Sequence, residues 1–152
     1  MILGCSDSRV PPELIFDCGL GDLFVVRTAG HGVDEAVLGS IHFGVTQLHI
    51  PLVVVLGHRR CGAVEAALAA GERGDVPGNA IGRLVESIRP AVAQVGDEAG
   101  DRLDAAVRAH VALTVKRLQA DPVLAPSVAQ GRLRVVGACY DLDSGWVELI
   151  AA

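Results

Sequence analysis

A mainly parallel α/β sheet flanked by helices is the fold this sequence predicts, and three observations predict it. Leu52-Val53-Val54-Val55-Leu56-Gly57 is a near-continuous apolar run, the pattern of a strand buried on both faces of a parallel sheet. Strand-like and helix-like segments alternate along the chain, with no internal repeat and no low-complexity tract. Cys5 and His58 both fall at the carboxyl ends of expected strands, where open α/β sheets collect their chemistry. The expected result is a sheet of four parallel strands plus one antiparallel edge strand, in a single domain over residues 1–152.

Each element has a local reason. Met1–Cys5 reads as a short buried strand, and the prolines of Val10-Pro11-Pro12-Glu13 turn the chain into a short helix, Pro12–Phe16. Asp22–Thr28 is a second strand, ended by Gly30. Asp34 is a good N-cap for a helix to about His49, with Val37, Leu38, Ile41, Val45 and Leu48 on one face and Pro51 closing it. After the 52–57 strand, Gly62–Ala70 is helical, and Gly71–Gly78 is the one flexible connection. Two longer helices follow, about Asn79–Val95 and Asp97–Ala120, then a short one from Asp121-Pro122 to Gln130. Leu133–Ala138 forms the fourth strand, and Asp143-Ser144-Gly145 is a hairpin turn into the last, Trp146–Ile150.

Composition narrows the partners. Hydrophobic residues make up 51% of the 152 but aromatics only 3%, so Val, Leu, Ile and Ala must build the core. With a mean hydropathy of +0.43, the aliphatic surplus predicts burial between subunits, as a homodimer or a dimer of dimers. No apolar run approaches the roughly 20 residues that span a bilayer, so no membrane partner is expected. A net charge of −5 argues against nucleic acid. Four cysteines are too few for a disulfide scaffold, and with no secretory signal visible a reducing, cytoplasmic setting is expected.

Two short clusters carry the chemistry: Cys5-Ser6-Asp7-Ser8-Arg9 and His58-Arg59-Arg60-Cys61. Two thiolates and one imidazole make a borderline-soft donor set that suits zinc. Three protein ligands leave a fourth tetrahedral position open, which separates a catalytic zinc from a structural one. Asp7 and Arg9, two apart, point the same way in an extended segment and can pair. The absence of a Cys-x-x-Cys disfavours thioredoxin-like redox chemistry.

Cys5-Ser6-Asp7-Ser8-Arg9-Val10 together with His58-x-x-Cys61-Gly62 closely resembles the signature of the beta-class carbonic anhydrases. The likeness extends through Ile15-Phe16-Asp17, Gly21–Arg27, Ala29-Gly30, Gly39-Ser40-Ile41, Ile88-Arg89-Pro90 and Tyr140-Asp141-Leu142-x-x-Gly145. The resemblance implies zinc held by Cys5, His58 and Cys61, and reversible hydration of carbon dioxide to bicarbonate and a proton. It implies that Arg9 holds Asp7 as a carboxylate, which accepts a hydrogen bond from the zinc-bound water. It also implies a second, low-pH state in which Asp7 swings onto the zinc. Gly62 is expected to let the backbone approach the site, and Phe43, where Tyr is common, to supply an apolar wall of the substrate pocket.

The same resemblance marks departures. Ile2 stands where some members carry a Trp in a regulatory bicarbonate pocket, although Arg27 and Tyr140 match its other two residues. The N-terminal helical arm that supplies a pocket Gln is not seen before Cys5. His31, where Asn is common, is expected to be a polar loop residue, and His42, His49 and His110 to lie on helices without a role. Cys18 and Cys139 are expected to be packing residues, and Arg59 and Arg60 solvated or interface charges. Two alternatives stay open: hydrolysis of carbonyl sulfide or carbon disulfide on the same zinc, or a zinc-binding homologue impaired in catalysis.

Overall fold

The computed structural model describes residues 1–96 and 100–152. Five strands form one sheet: β1 (Ile2–Cys5), β2 (Val25–Thr28), β3 (Leu52–His58), β4 (Arg134–Tyr140) and β5 (Val147–Ala151). Their order is β2-β1-β3-β4-β5; β1 to β4 run parallel, and β5 returns antiparallel at the edge, as the sequence predicts. The helices are α1 (Pro12–Ile15), α2 (Glu35–Thr46), α3 (Gly62–Arg73), α4 (Ala80–Val92), α5 (Arg102–Gln119) and α6 (Ala125–Ala129). With β2 on one side of β1 and β3 on the other, the connections leave the sheet in opposite directions between β1 and β3. The carboxyl ends of those two strands therefore open onto a crevice.

One face of the sheet carries most of the core. Leu3, Val53, Val55 and Val135 pack with Val37 and Ile41 of α2 and with Val111, Val115 and Leu118 of α5. A neighbouring cluster joins Val64 and Ala67 of α3, Val85 and Ile88 of α4, and Val107 of α5 to Cys5 and Cys61. The opposite face is more thinly covered: Ile2, Leu56 and Ala138 meet Ile15, Phe16 and Leu23.

Helix ends follow their caps. Asp34 and Asn79 accept hydrogen bonds from the first-turn amides of α2 and α4. The structure ends α2 at Thr46, three residues early, because the chain turns through His49 in a left-handed conformation and the Ile50 amide returns to the Gly44 carbonyl. Conversely α3 runs past Ala70 to Arg73: Gly71 is tolerated within the helix, and Gly74, at φ 67°, supplies the left-handed stop. The first residues expected of the 71–78 connection are thus helical. The expected start of α5 at Asp97 lies outside the described residues; Asp101 caps the helix that is described. Asp22 belongs to a turn, its carboxylate accepting from the Gly19 amide, which shortens β2 to Val25–Thr28.

Gly137 sets the distance between α5 and the sheet. A Cβ there would lie 2.6 Å from Val111 Cγ1 and 3.1 Å from Val115 Cγ2. Gly137→Ala is therefore expected to destabilise the fold by about 1–3 kcal/mol through overpacking. Equilibrium urea unfolding checks it, and an unchanged midpoint would contradict so tight a contact.

Candidate metal centre

β1 delivers Cys5 as its last residue, and β3 delivers His58 as its last. Cys61 arrives three residues on because Arg60 adopts a left-handed backbone (φ 54°), folding the chain back before α3 begins. The Sγ atoms of Cys5 and Cys61 and a ring nitrogen of His58 lie within 4.8 Å of one another, and all three residues are buried. The sequence-predicted ligand set is thus brought together from two strand ends and a helix start.

The donor atoms are prepared for a cation. His58 Nδ1 lies 2.9 Å from the Arg59 carbonyl, which can only accept, so the proton sits on Nδ1 and the lone pair on Nε2. That Nε2 is buried and has no hydrogen-bond partner among the described residues. Hydrogen bonding from the Cys61 thiol favours the thiolate of Cys5, while Cys61, facing that thiolate from a buried position, is pushed up. Both sulfurs can ionise together only if a cation compensates them. An orphaned imidazole nitrogen beside two such thiols fits a divalent ion of zinc's character.

The Asp7–Arg9 pair forms as predicted. Arg9 Nε and Nη2 donate to both carboxylate oxygens of Asp7 at 2.7–3.2 Å, and the Arg9 amide adds a bond of 2.9 Å. Arg9 thereby holds the Asp7 carboxyl well below the usual carboxylate range. Asp7 is not among the clustered donor atoms: its carboxylate is turned to Arg9. Arg9 Nη2 also reaches the Arg60 carbonyl at 3.2 Å, tying the loop after β1 to the loop after β3.

Several residues act differently from the sequence expectation. Arg27 does not present a free guanidinium: Nε bonds the Cys5 carbonyl at 2.7 Å and Nη2 the Asp7 carbonyl at 2.6 Å. It clamps the very segment that carries the Cys5 thiol and the Asp7 carboxylate. Arg59 reaches Asp101, Asp104 and Asp141, and Arg60 pairs bidentately with Asp143 at 2.6 and 2.8 Å. Solvent screens half-exposed pairs of this kind, so they add little stability, but they fasten the loop between His58 and Cys61 to the β4–β5 turn. His31, expected to be a polar loop residue, is buried in the short Ala29–His31 turn, where Gly30 and His31 both take left-handed backbone, and its ring lies against His110 with centroids 4.4 Å apart. His42 bonds Asp121 at 2.9 Å, and His49 lies beyond its helix.

Cys139 is buried, while Cys18 is partly buried and donates to the Phe16 carbonyl. Gly62 opens α3 directly after Cys61, and a Cβ there would meet no atom within 4 Å, so the approach over it is open. Phe43 is 52% exposed on α2 and joins none of the buried clusters among the described residues.

Residues 1–147 match the family model for carbonic anhydrase. Carbonic anhydrase 2 of Mycobacterium tuberculosis (strain ATCC 25618 / H37Rv) is 50% identical over 146 residues, which cover 95% of this chain and 70% of the relative. A carbonic anhydrase of Mycolicibacterium smegmatis is 48% identical over 151 residues, covering 98% and 73%. Among solved structures, a Coccomyxa beta-carbonic anhydrase in complex with acetazolamide superposes with a TM-score of 0.86 at 28% identity, over 98% of this chain and 70% of that one. A tetrameric beta-carbonic anhydrase of Sordaria macrospora gives a TM-score of 0.86 at 25% identity, over 99% and 79%. On the matched family model, the relatives at half identity and the shared fold, this chain belongs to the beta class of the carbonic anhydrase family.

Proposed function

We propose that this protein hydrates carbon dioxide reversibly to bicarbonate and a proton, with zinc held by Cys5, His58 and Cys61. One observation carries the reading: three buried donor atoms converge within 4.8 Å beside a carboxylate that Arg9 keeps ionised. Zinc bound there would act as a Lewis acid that makes water nucleophilic near neutral pH. The chain's own residues do the rest. Asp7 accepts a hydrogen bond from the attacking water and directs its lone pair at the carbon of carbon dioxide. Arg9, bonded to both Asp7 oxygens, fixes the direction of that acceptor and keeps it from taking the proton outright. Arg27 holds the Cys5–Asp7 backbone at the spacing this requires. The space over Gly62 admits the small linear substrate, and Phe43 is assigned to an apolar wall of the pocket in the assembled enzyme.

Removing the metal with a chelator is expected to bring carbon dioxide hydration to the buffer rate, and one equivalent of zinc to restore it. A bound ion also stabilises the folded state by linkage, so the thermal midpoint should fall and return with it. Hydration that persists after verified zinc loss would sink the proposal; running carbonyl sulfide and carbon disulfide beside carbon dioxide decides the substrate. We assign a homodimer or dimer of dimers, supported by the aliphatic composition and the tetrameric relative; sedimentation should give two or four copies, and a monomer at micromolar concentration refutes it. No described helix is long and apolar enough to cross a membrane, and the four cysteines are free, which fits a cytoplasmic setting.

A further inference from the structure

We propose that His110, seated against His31, is a positioning residue for the metal centre: it holds the Ala29–His31 turn so that the Gly30 amide donates to Cys5 Sγ. This rests on Cys5 being a metal ligand. Gly30 N–H meets Cys5 Sγ at 3.3 Å, and the Gly30 carbonyl lies 3.0 Å from His110 Nε2. A carbonyl only accepts, so His110 carries its proton on Nε2 and donates. The turn is thus gripped at both ends of one residue, by the sulfur at its amide and by α5 at its carbonyl.

The surroundings leave that residue little choice. Gly30 is left-handed (φ 60°), and a Cβ would stand 2.9 Å from Ala63 Cβ and 3.2 Å from Ile88 Cδ1. Only glycine can therefore seat its α-carbon between α3 and α4 while its amide points at Cys5 Sγ. His31 follows in the same left-handed region (φ 45°) although it has a Cβ, a conformation that persists only where packing over-determines it. Its ring lies against His110 at 4.4 Å, tilted by 30°, and both of its nitrogens are buried with no hydrogen-bond partner among the described residues. Burial disfavours the charged form of both rings. Two neutral imidazoles thus lie ring against ring, and of their two N–H donors the one on His110 is spent on Gly30.

An amide donating to a thiolate pre-aims the sulfur and withdraws some of its electron density. His110 thereby adjusts how strongly Cys5 grips a cation without touching it, as partners one layer out from metal ligands do.

Loading the full-length protein with cadmium-113 tests this in the wild type. The Gly30 amide proton is expected to show scalar coupling to the metal across the N–H···S bond, alongside coupling from the Cys5 β-protons. His110→Phe keeps a ring against His31 but removes the donor. It is expected to weaken or abolish the Gly30 coupling and to bind zinc about 10-fold more weakly. His110→Gln, whose amide reaches the Nε2 position, should restore both. If His110→Phe does not fold, His110→Asn, whose amide stops short of the carbonyl, replaces it. Coupling at Cys5 with none at Gly30 overturns the inference, as does an unchanged coupling and affinity in His110→Phe. Absence of coupling at Cys5 itself overturns the metal-site reading, and the inference with it.

Discussion

Cys61→Ser is expected to leave a folded protein that no longer holds one equivalent of zinc and no longer hydrates carbon dioxide. Cys61 occupies the N-cap position of α3, with extended backbone (φ −73°, ψ 114°) and no cap bond from its side chain, because the sulfur is one of the clustered donors. Serine is among the preferred N-caps, so the substitution keeps the volume nearly constant and suits the helix start. The chemistry changes instead. A hydroxyl does not ionise near neutral pH and is a poor partner for a borderline-soft cation, so the cluster loses one of its two thiolates. Losing an outer partner of a ligand costs roughly 10–100-fold; losing the ligand itself should exceed that in both affinity and kcat/KM. Metal analysis after dialysis and stopped-flow hydration are the measurements. Full zinc with full activity would remove Cys61 from the centre.

Asp7→Asn is expected to separate metal binding from turnover. The residue lies outside the clustered donors, so zinc content should stay near one equivalent. Its carboxylate is what Arg9 holds in place through both oxygens, with Arg27 fixing the adjoining backbone. An asparagine presents an amide where an acceptor is needed, and Arg9 cannot bond it twice. Positioned acid–base groups contribute about 100- to 10,000-fold, so kcat/KM should drop by at least about 100-fold. The Asp7 and Arg9 side chains are 20% and 50% exposed, so solvent screens the pair and its loss should leave the unfolding midpoint nearly unchanged. Unaltered hydration by a zinc-loaded Asp7→Asn enzyme would exclude the assigned role.

What was legible in the sequence depended on short range. The clustering of the three donors could be read because Cys5 and His58 each end an apolar strand, and Cys61 follows within one turn. Asp34 could be read as a cap from its neighbours a few positions on, and the structure adds Asn79 as the cap of α4. Boundaries were less legible where two local signals competed: Gly71 and Gly74 both offer to end α3, and only Gly74 takes the left-handed conformation that does so. The end of α2 depended on the return of the Ile50 amide to Gly44, a bond that no periodicity announces.

The layer behind the ligands was not legible. Arg27 resembles an anion-pocket residue in sequence, yet the parallel register of β1 and β2 places it opposite Gly4, where the carbonyls of Cys5 and Asp7 take its guanidinium. His31 and His110 lie in segments far apart in the chain, and each alone looks like an ordinary polar residue. Only the seating of α5 on the sheet, as close as Gly57 and Gly137 permit, brings their rings together behind Gly30. The sequence by itself determined the donor set, the strand ends that carry it and the α/β class, because residue type, apolar periodicity and capping act over a few positions. Tertiary structure alone decided which groups aim those donors, because hydrogen bonds and stacking between distant segments exist only once helices have packed against the sheet.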